Sequence, residues 1–139
     1  MPKEKIYKDH RVGEIIGIND VSLITDPEKL RSHMDYLTTT LGLSVVNQFM
    51  HQFSPHGITM VDVVEESHVA MHTWPEERYA HLDVFTCSPH TRISLLKPAL
   101  SIIFPAEQIK VREIYYGNPI QRLRKRLGTF LESYKSKLS

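Results

Sequence analysis

The sequence predicts one α/β domain of the α+β type, a two-layer sandwich with a mostly antiparallel sheet and helices on one face. A length of 139 residues is typical of one domain, so residues 1–139 form a single unit. Segments rich in Val, Ile, Thr and aromatic residues alternate with amphipathic helical patterns, and short hairpin-like connections join neighbouring strands. Helices on one face leave the other face uncovered, so we expect a dimer.

The N-terminal half contains one helix whose two ends are marked in the sequence. Asp26 suits the N-cap and Pro27 the first helical position, and Gly42 suits the C-cap. Apolar residues recur at helical spacing between these ends. The predicted strands on either side and the turn that follows are residues 12–18, 43–53 and 54–57.

The rest of the chain is mainly strand, with two further helices. The predicted strands are residues 58–65, 68–74, 81–87 and 108–116. A helix is predicted to begin at Ser88-Pro89, with a kink or early end at Pro98. A last helix, capped by Asn118-Pro119, has one basic face, which we interpret as solvated. Its other face is apolar and comprises Ile120, Leu123, Leu127, Leu131 and Tyr134.

Composition excludes several classes of protein. Seventeen basic and sixteen acidic residues give a net charge of +1, which argues against a nucleic-acid binder. No apolar run approaches the roughly 20 residues of a membrane span, and the N-terminus lacks the apolar core of a signal peptide. The single cysteine, Cys87, cannot form an internal disulfide. We therefore expect a cytoplasmic protein with a small-molecule substrate and neither nucleic acid nor a membrane as partner.

Residues 57–87 concentrate the candidate chemistry, but each residue also has an ordinary structural interpretation. Ser67 and His68 are adjacent, so on a strand they point to opposite faces and form no ready-made dyad. The G-x-S-x-G elbow of hydrolases is absent. Taken singly, Ser67 is a turn residue, His72 a hydrogen-bonded core histidine and Cys87 a small buried side chain. No ligand spacing supports zinc at Cys87 and nearby histidines, so we expect no metal.

Three short motifs in this segment resemble one enzyme family. They are Glu66-Ser67-His68, Met71-His-Thr-Trp-Pro-Glu76 and Asp83-Val-Phe-Thr-Cys87. In this order and at this spacing they are similar to the pyruvoyl-dependent S-adenosylmethionine decarboxylase proenzymes of bacteria and archaea. The resemblance is strong over residues 57–87 and consistent over the remaining chain.

The resemblance implies a zymogen that cuts itself between Glu66 and Ser67. The products would be a β chain, residues 1–66, and an α chain, residues 67–139. Ser67 would become a pyruvoyl group, which forms a Schiff base with the substrate in place of pyridoxal phosphate. The reaction would be decarboxylation of S-adenosylmethionine to S-adenosyl-3-(methylthio)propylamine, used in spermidine biosynthesis.

The family's other functional residues carry over by position. His72 matches the proton acceptor of processing, and Thr59 matches a processing hydroxyl that is usually a serine. Cys87 matches the proton donor of turnover. Phe53 and Trp74 match aromatic residues that stack on adenine, and Glu76 matches the acid that binds ribose. The resemblance also implies active sites near a dimer interface and built from both chains.

Four residues depart from the family pattern, so the resemblance does not decide which substrate is decarboxylated. They are Asp62, Glu65, Arg78 and His81. Arg78 and His81 beside the substrate would reshape the adenosine pocket, and an added acid would favour a cationic substrate tail. One alternative is the same pyruvoyl chemistry on L-arginine or L-ornithine. A second is an unprocessed, non-catalytic homologue that regulates an active partner.

Overall fold

Six strands form one antiparallel sheet in the order β2-β3-β4-β5-β1-β6. The computed structural model describes residues 7–116 and 119–138, with the side chains of the last helix described from residue 126 onward. The strands are β1 (Asp9–Ile18), β2 (Val45–Gln52), β3 (Ile58–Val64), β4 (Ser67–Trp74), β5 (Tyr79–Thr86) and β6 (Ala106–Ile114). The helices are α1 (Ser22–Thr25), α2 (Pro27–Leu41), α3 (Leu96–Ile103) and α4 (Pro119–Leu138). The predicted α+β class is confirmed.

The hydrophobic core lies between one face of the sheet and helices α1, α2 and α3. Burial alternates along β5, where Ala80, Leu82 and Val84 are buried in the core and their neighbours are only half-buried. The same alternation marks β3 and β4. The half-buried residues line the opposite surface, called here the open face, which no helix among α1–α3 covers.

Helix α2 follows the sequence prediction at both ends. The Asp26 carboxylate accepts hydrogen bonds from the backbone N–H groups of Glu28 at 3.0 Å and Lys29 at 3.4 Å. Gly42 adopts a left-handed conformation with φ of 72° and ends the helix. Capping at both ends fixes α2 where its apolar stripe meets the sheet.

The prediction of a helix beginning at Ser88 is wrong. Residues 88–92 form a loop because the hydroxyls of Thr86 and Ser88 bind nearby backbone N–H groups, which competes with helix formation. A 3₁₀ turn, Ile93–Leu95, precedes α3. Pro98 neither kinks nor ends the helix because it is the third residue of α3, in the first turn, where backbone N–H groups have no intrahelical partner.

Helix α4 confirms the predicted C-terminal helix. Its cap, Asn118, lies outside the described residues, as do the side chains of Ile120 and Leu123. The described apolar residues of α4 are exposed. Among the described residues, no helix is both long enough and apolar enough to cross a bilayer.

Asp62 lies on the helix-covered face of the sheet and is fully buried. Its Oδ1 accepts a hydrogen bond from Gln48 Nε2 at 2.7 Å, and Gln48 Oε1 accepts one from Arg31 Nε at 2.9 Å. Asp62 Oδ2 has no partner among the described residues. Burial raises the pKa of this carboxyl above its ordinary value of 3.8. Asp62 therefore faces away from the open face and is not an added acid that could favour a cationic substrate tail there.

Replacing Asp62 with Asn should stabilise the protein increasingly as the pH rises. The folded-state pKa is raised, so the stability that Asp62 contributes is fully present below 3.8 and is lost as the pH rises through the folded-state pKa. Asn keeps a hydrogen-bonding oxygen and does not ionise. We expect a gain of about 1 kcal/mol in unfolding free energy at pH 7, which shrinks towards pH 4 in urea denaturation. A gain that does not vary with pH would contradict the burial of an ionisable Asp62.

Candidate functional site

A two-residue turn, Glu65-Glu66, joins β3 to β4 and brings Ser67 to the first position of β4. Val64 and Ser67 are directly paired across the hairpin. Two-residue turns between twisted strands favour positive φ at their central residues. Here the positive φ, 152°, falls on Ser67 instead. A non-glycine residue in this region stores roughly 1–3 kcal/mol of strain, so Ser67 is held in a conformation that the surroundings must enforce.

Three hydrogen bonds hold the turn in place. The Glu66 carbonyl oxygen accepts from the backbone N–H of Cys87 at 2.8 Å. The Glu66 carboxylate accepts from the N–H of Ser44 at 3.1 Å, and the N–H of Glu65 donates to the Ser44 carbonyl at 2.9 Å. The bond from Cys87 polarises the carbonyl that precedes Ser67, as an oxyanion-hole donor does. The peptide bond before Ser67 therefore has a polarised carbonyl, and the residue that follows it has a strained backbone conformation.

Cys87 follows β5 directly and lies beside Ser67, because Ser67 is paired with Thr86. Its side chain is exposed and its thiol is free. The structure thus brings together Glu66, Ser67 and Cys87, a group called here the serine end. The interpretation of Cys87 as a small buried side chain is wrong, because β5 ends one residue earlier.

Thr59 and His72 form a second pair on the open face. They are directly opposite on β3 and β4, and Thr59 Oγ1 lies 2.9 Å from His72 Nδ1. Burial lowers the pKa of His72, and the neighbouring His81 lowers it further. The imidazole rings of His72 and His81 are 6.2 Å apart. The nearby Asp83 carboxylate opposes these effects without reversing them, so the environment favours the neutral imidazole, the form that accepts a proton.

Exposed aromatic side chains lie close to this pair. The Trp74 ring is 6.3 Å from the His72 ring and 5.6 Å from the Tyr79 ring. Gly57, whose φ is 101°, lies between Phe53 and the backbone of Thr73 and so brings the Phe53 ring close to the same region. A Cβ on Gly57 would lie 3.0 Å from the Thr73 carbonyl oxygen and 3.9 Å from the Phe53 ring, so only glycine fits.

Glu76 is exposed in the 3₁₀ turn Pro75–Glu77 that follows Trp74. The candidate residues of this region are called here the histidine end. They are Phe53, Thr59, His72, Trp74 and Glu76.

The two ends are far apart within one chain. Ser67 and His72 are five residues apart on β4, which at about 3.3 Å per residue is roughly 16 Å. Trp74 is two residues further. Neither Thr59 nor His72 can reach Ser67 of the same chain. The structure therefore brings together the members of each end and does not bring the two ends together.

A polar network between the two ends was not predicted from the sequence. The Asp83 carboxylate accepts from His10 Nε2 at 2.8 Å and from His68 Nε2 at 2.9 Å, and His10 Nδ1 lies 2.6 Å from the Tyr116 hydroxyl. Burial disfavours the Asp83 carboxylate, but the two hydrogen bonds outweigh it and lower the pKa of Asp83. The sequence signal for this network was the pair of polar residues at alternate positions of β5, His81 and Asp83.

The Arg78 guanidinium binds the end of β1, which argues against the expectation that it reshapes a pocket at the histidine end. It donates to the carbonyls of Ile18 at 2.9 Å and Gly17 at 3.3 Å. It also lies 3.7 Å from the Glu107 carboxylate. The backbone of Arg78 closes the turn that contains Glu76, with its N–H bonded to the Pro75 carbonyl at 3.0 Å. Of the two departures that follow Trp-Pro-Glu, His81 is the one whose ring neighbours His72.

Within residues 7–116 and the described part of α4, no group of three or more His, Cys, Asp or Glu side chains is arranged to hold a metal ion.

Comparison with known proteins gives consistent results. A family model described as S-adenosylmethionine decarboxylase matches residues 9–117. A protein named S-adenosylmethionine decarboxylase proenzyme from Methanococcus maripaludis is 35% identical over 108 residues, covering 78% of this chain and 88% of its own. One of the same name from Pelotomaculum thermopropionicum is 38% identical over 108 residues, covering 78% and 85%. The crystal structure of the adenosylmethionine decarboxylase from Aquifex aeolicus superposes with a TM-score of 0.72 at 25% identity, covering 82% and 93%.

The imidazole of His72 should titrate below the ordinary histidine pKa of 6.5, because burial and His81 both disfavour its charged form. We expect ¹H–¹⁵N NMR of the full chain to give a midpoint below 6.5 for His72. His81→Gln removes the like charge and should move that midpoint upward. A midpoint at or above 6.5 in the unsubstituted chain would contradict the neutral state assigned to His72.

Proposed function

Because the chain belongs to the S-adenosylmethionine decarboxylase family, a family of carboxy-lyases, we propose that it makes its own pyruvoyl group from Ser67 and uses it to decarboxylate S-adenosylmethionine. The observation that supports this most directly is the positive φ of Ser67 next to a carbonyl that is hydrogen-bonded to Cys87 N–H. A pyruvoyl precursor needs a serine hydroxyl beside a polarised carbonyl, so the residues present fit the group.

Cleavage would begin with attack of the Ser67 hydroxyl on the Glu66 carbonyl carbon. The bond from the Glu66 carbonyl carbon to Ser67 Oγ forms, the bond to the Ser67 nitrogen breaks, and the hydroxyl proton passes to a base while the nitrogen gains one. The negative charge that develops on the carbonyl oxygen is stabilised by Cys87 N–H, 2.8 Å away. Relief of the positive φ at Ser67 also favours this step.

Elimination would then separate the chains. A base removes the Ser67 Cα proton, the Cβ–Oγ bond breaks, and Glu66 leaves with a free carboxylate at the end of residues 1–66. The dehydroalanine at position 67 adds water and releases ammonia, which leaves the ketone at the start of residues 67–139. The neutral imidazole of His72 and the hydroxyl of Thr59 suit the proton transfers.

The spacing along β4 requires a second copy of the chain to complete the site. His72 is about 16 Å from Ser67 in its own chain, so His72 of the partner subunit would supply the imidazole. Two chains that pack open face to open face about a twofold axis place the serine end of each against the histidine end of the other. The open face suits such a contact, since Phe49, Val63 and Ile114 are exposed on it.

During turnover, the pyruvoyl group held at position 67 would supply an electron sink for decarboxylation once it is joined to the substrate amine. The exposed Cys87 thiol beside position 67 would return a proton to the substrate Cα. Phe53 and Trp74 offer aromatic faces for adenine and for the sulfonium cation. Glu76 is available to accept hydrogen bonds from the ribose hydroxyls. The decarboxylated product would be the aminopropyl donor used in spermidine synthesis.

The exposed Trp74 indole and the burial of Asp62 support S-adenosylmethionine over arginine or ornithine. Asp62 is buried on the helix-covered face, so it does not place a negative charge on the exposed surface around Trp74. The Arg78 guanidinium is bound to the end of β1. An exposed indole suits an adenosyl group better than the aliphatic chain of a basic amino acid.

Ser67→Ala should abolish both cleavage and CO₂ release, since alanine has no hydroxyl to attack Glu66. The measurement is CO₂ release from S-adenosylmethionine, L-arginine and L-ornithine side by side, with unsubstituted protein as reference. We expect release from S-adenosylmethionine alone, at least about 10³-fold above Ser67→Ala. Turnover by Ser67→Ala would refute the pyruvoyl mechanism. Preferential CO₂ release from either basic amino acid would refute the proposal that S-adenosylmethionine is the substrate.

Cys87→Ala should separate processing from turnover. Cleavage continues because the donor to the Glu66 carbonyl is the backbone N–H, which alanine retains. Decarboxylation should fall by about 10²-fold or more, because the proton donor is lost. Gel analysis of the two chains and CO₂ release measure the two effects. A rate near that of the unsubstituted enzyme would show that the proton comes from another group.

A further inference from the structure

Helix α4 lies beyond the part of the chain that matches the family and has an exposed apolar stripe. The match ends at residue 117, and α4 spans Pro119–Leu138. At about 100° per residue, five described apolar residues fall within a stripe roughly 100° wide. They are Leu127, Phe130, Leu131, Tyr134 and Leu138, each between 49% and 71% exposed. So wide an apolar stripe on a polar helix ordinarily contacts another surface.

The charge of α4 differs in sign from that of the remaining chain. Its sequence contains six basic residues and one acidic residue, Glu132, which give a formal charge of +5. The whole chain has a charge of +1, so the residues outside α4 sum to −4. Among the described residues, Lys135 lies just beyond one edge of the stripe, and Arg126 and Lys137 lie just beyond the other. Cations therefore border the apolar stripe on both sides.

The apolar stripe remains accessible because α4 does not pack closely on the sheet. A cavity of about 360 Å³ lies between the helix and the end of β6, with Glu113 and Tyr115 on one side and Arg126, Thr129, Phe130 and Ser133 on the other. The Arg126 guanidinium lies 5.2 Å from the centre of the Tyr115 ring. This contact connects the helix to the domain, and Phe130, at the edge of the stripe beside the cavity, is still 64% exposed.

We propose that α4 is a surface-binding helix that lies along an anionic lipid bilayer, with its apolar stripe among the acyl chains and its flanking cations on the lipid phosphates. Helices of this kind combine low overall hydrophobicity, an aromatic-containing apolar stripe and basic residues at its borders. The expectation that the chain has no membrane partner relied on the lack of a spanning segment, and binding along a surface requires none. The inference is independent of the decarboxylation chemistry.

Two other occupants fit α4 less well. Pairing of α4 with α4 of a second copy would bring two helices of charge +5 together, with one acidic residue on each to offset the repulsion. A nucleic acid would bind the cations but would leave the apolar stripe exposed. An anionic bilayer would bury the apolar stripe and also pair with the cations of α4.

Co-sedimentation of the full chain with lipid vesicles tests the proposal. We expect binding to vesicles of equal parts phosphatidylcholine and phosphatidylglycerol, weaker binding in high salt, and none to phosphatidylcholine alone. Leu127→Glu combined with Leu131→Glu places two charges in the stripe and should reduce the partition coefficient by at least about tenfold. The matched control, Thr129→Glu with Ser136→Glu, adds the same charge on the opposite side of α4 and should retain most of the binding.

Three outcomes would overturn the proposal. The first is no binding of the unsubstituted chain to anionic vesicles in low salt. The second is equal loss in both double variants, which would mean that charge alone governs the binding, as for a nucleic acid. The third is a lower oligomeric state of Leu127→Glu/Leu131→Glu in sedimentation velocity, which would assign the stripe to a second copy. Decarboxylation by both variants should equal that of the unsubstituted chain, because none of the substituted residues belongs to the serine end or the histidine end.

Discussion

The rest of the structure depends on the backbone constraint at the β3–β4 turn. Two residues, Glu65 and Glu66, are all that connect paired strands, and the turn is fixed on one side by Ser44 and on the other by Cys87. Because the flanking strands lie inside a six-stranded sheet, the turn cannot relax by moving them. The strain therefore remains at Ser67, whose hydroxyl neighbours the Glu66 carbonyl that Cys87 N–H binds.

Antiparallel pairing determines where the other functional groups lie. The register that pairs Ser67 with Thr86 also pairs His72 with Thr59, five residues along β4. The groups proposed to cut the chain and those proposed to move its protons are thus fixed at opposite ends of a rigid strand. A site that needs both is complete only between two chains, which connects catalysis to the uncovered face of the sheet. The Asp83 network lies between the two ends on that face.

Much of this arrangement was predictable from the sequence. Helix α2 follows from Asp26, Pro27 and Gly42, because capping is local chemistry. The opposite directions of Ser67 and His68 follow from strand alternation. Helix α3 was misplaced because Thr86 and Ser88 hydroxyls compete for backbone N–H groups, a choice that depends on tertiary context. The sequence did not show that Asp62 is buried under the helices or that the Arg78 guanidinium binds the end of β1, since pattern alone does not show which face of the sheet or which strand end a polar side chain meets.

Self-cleavage before Ser67 can be followed by intact mass spectrometry of freshly purified protein over time. The full-length mass should disappear and two masses should replace it, one for residues 1–66 and one for residues 67–139 with a pyruvoyl N-terminus that resists Edman degradation. Full catalytic activity in a sample that retains only the uncut mass would contradict the pyruvoyl mechanism.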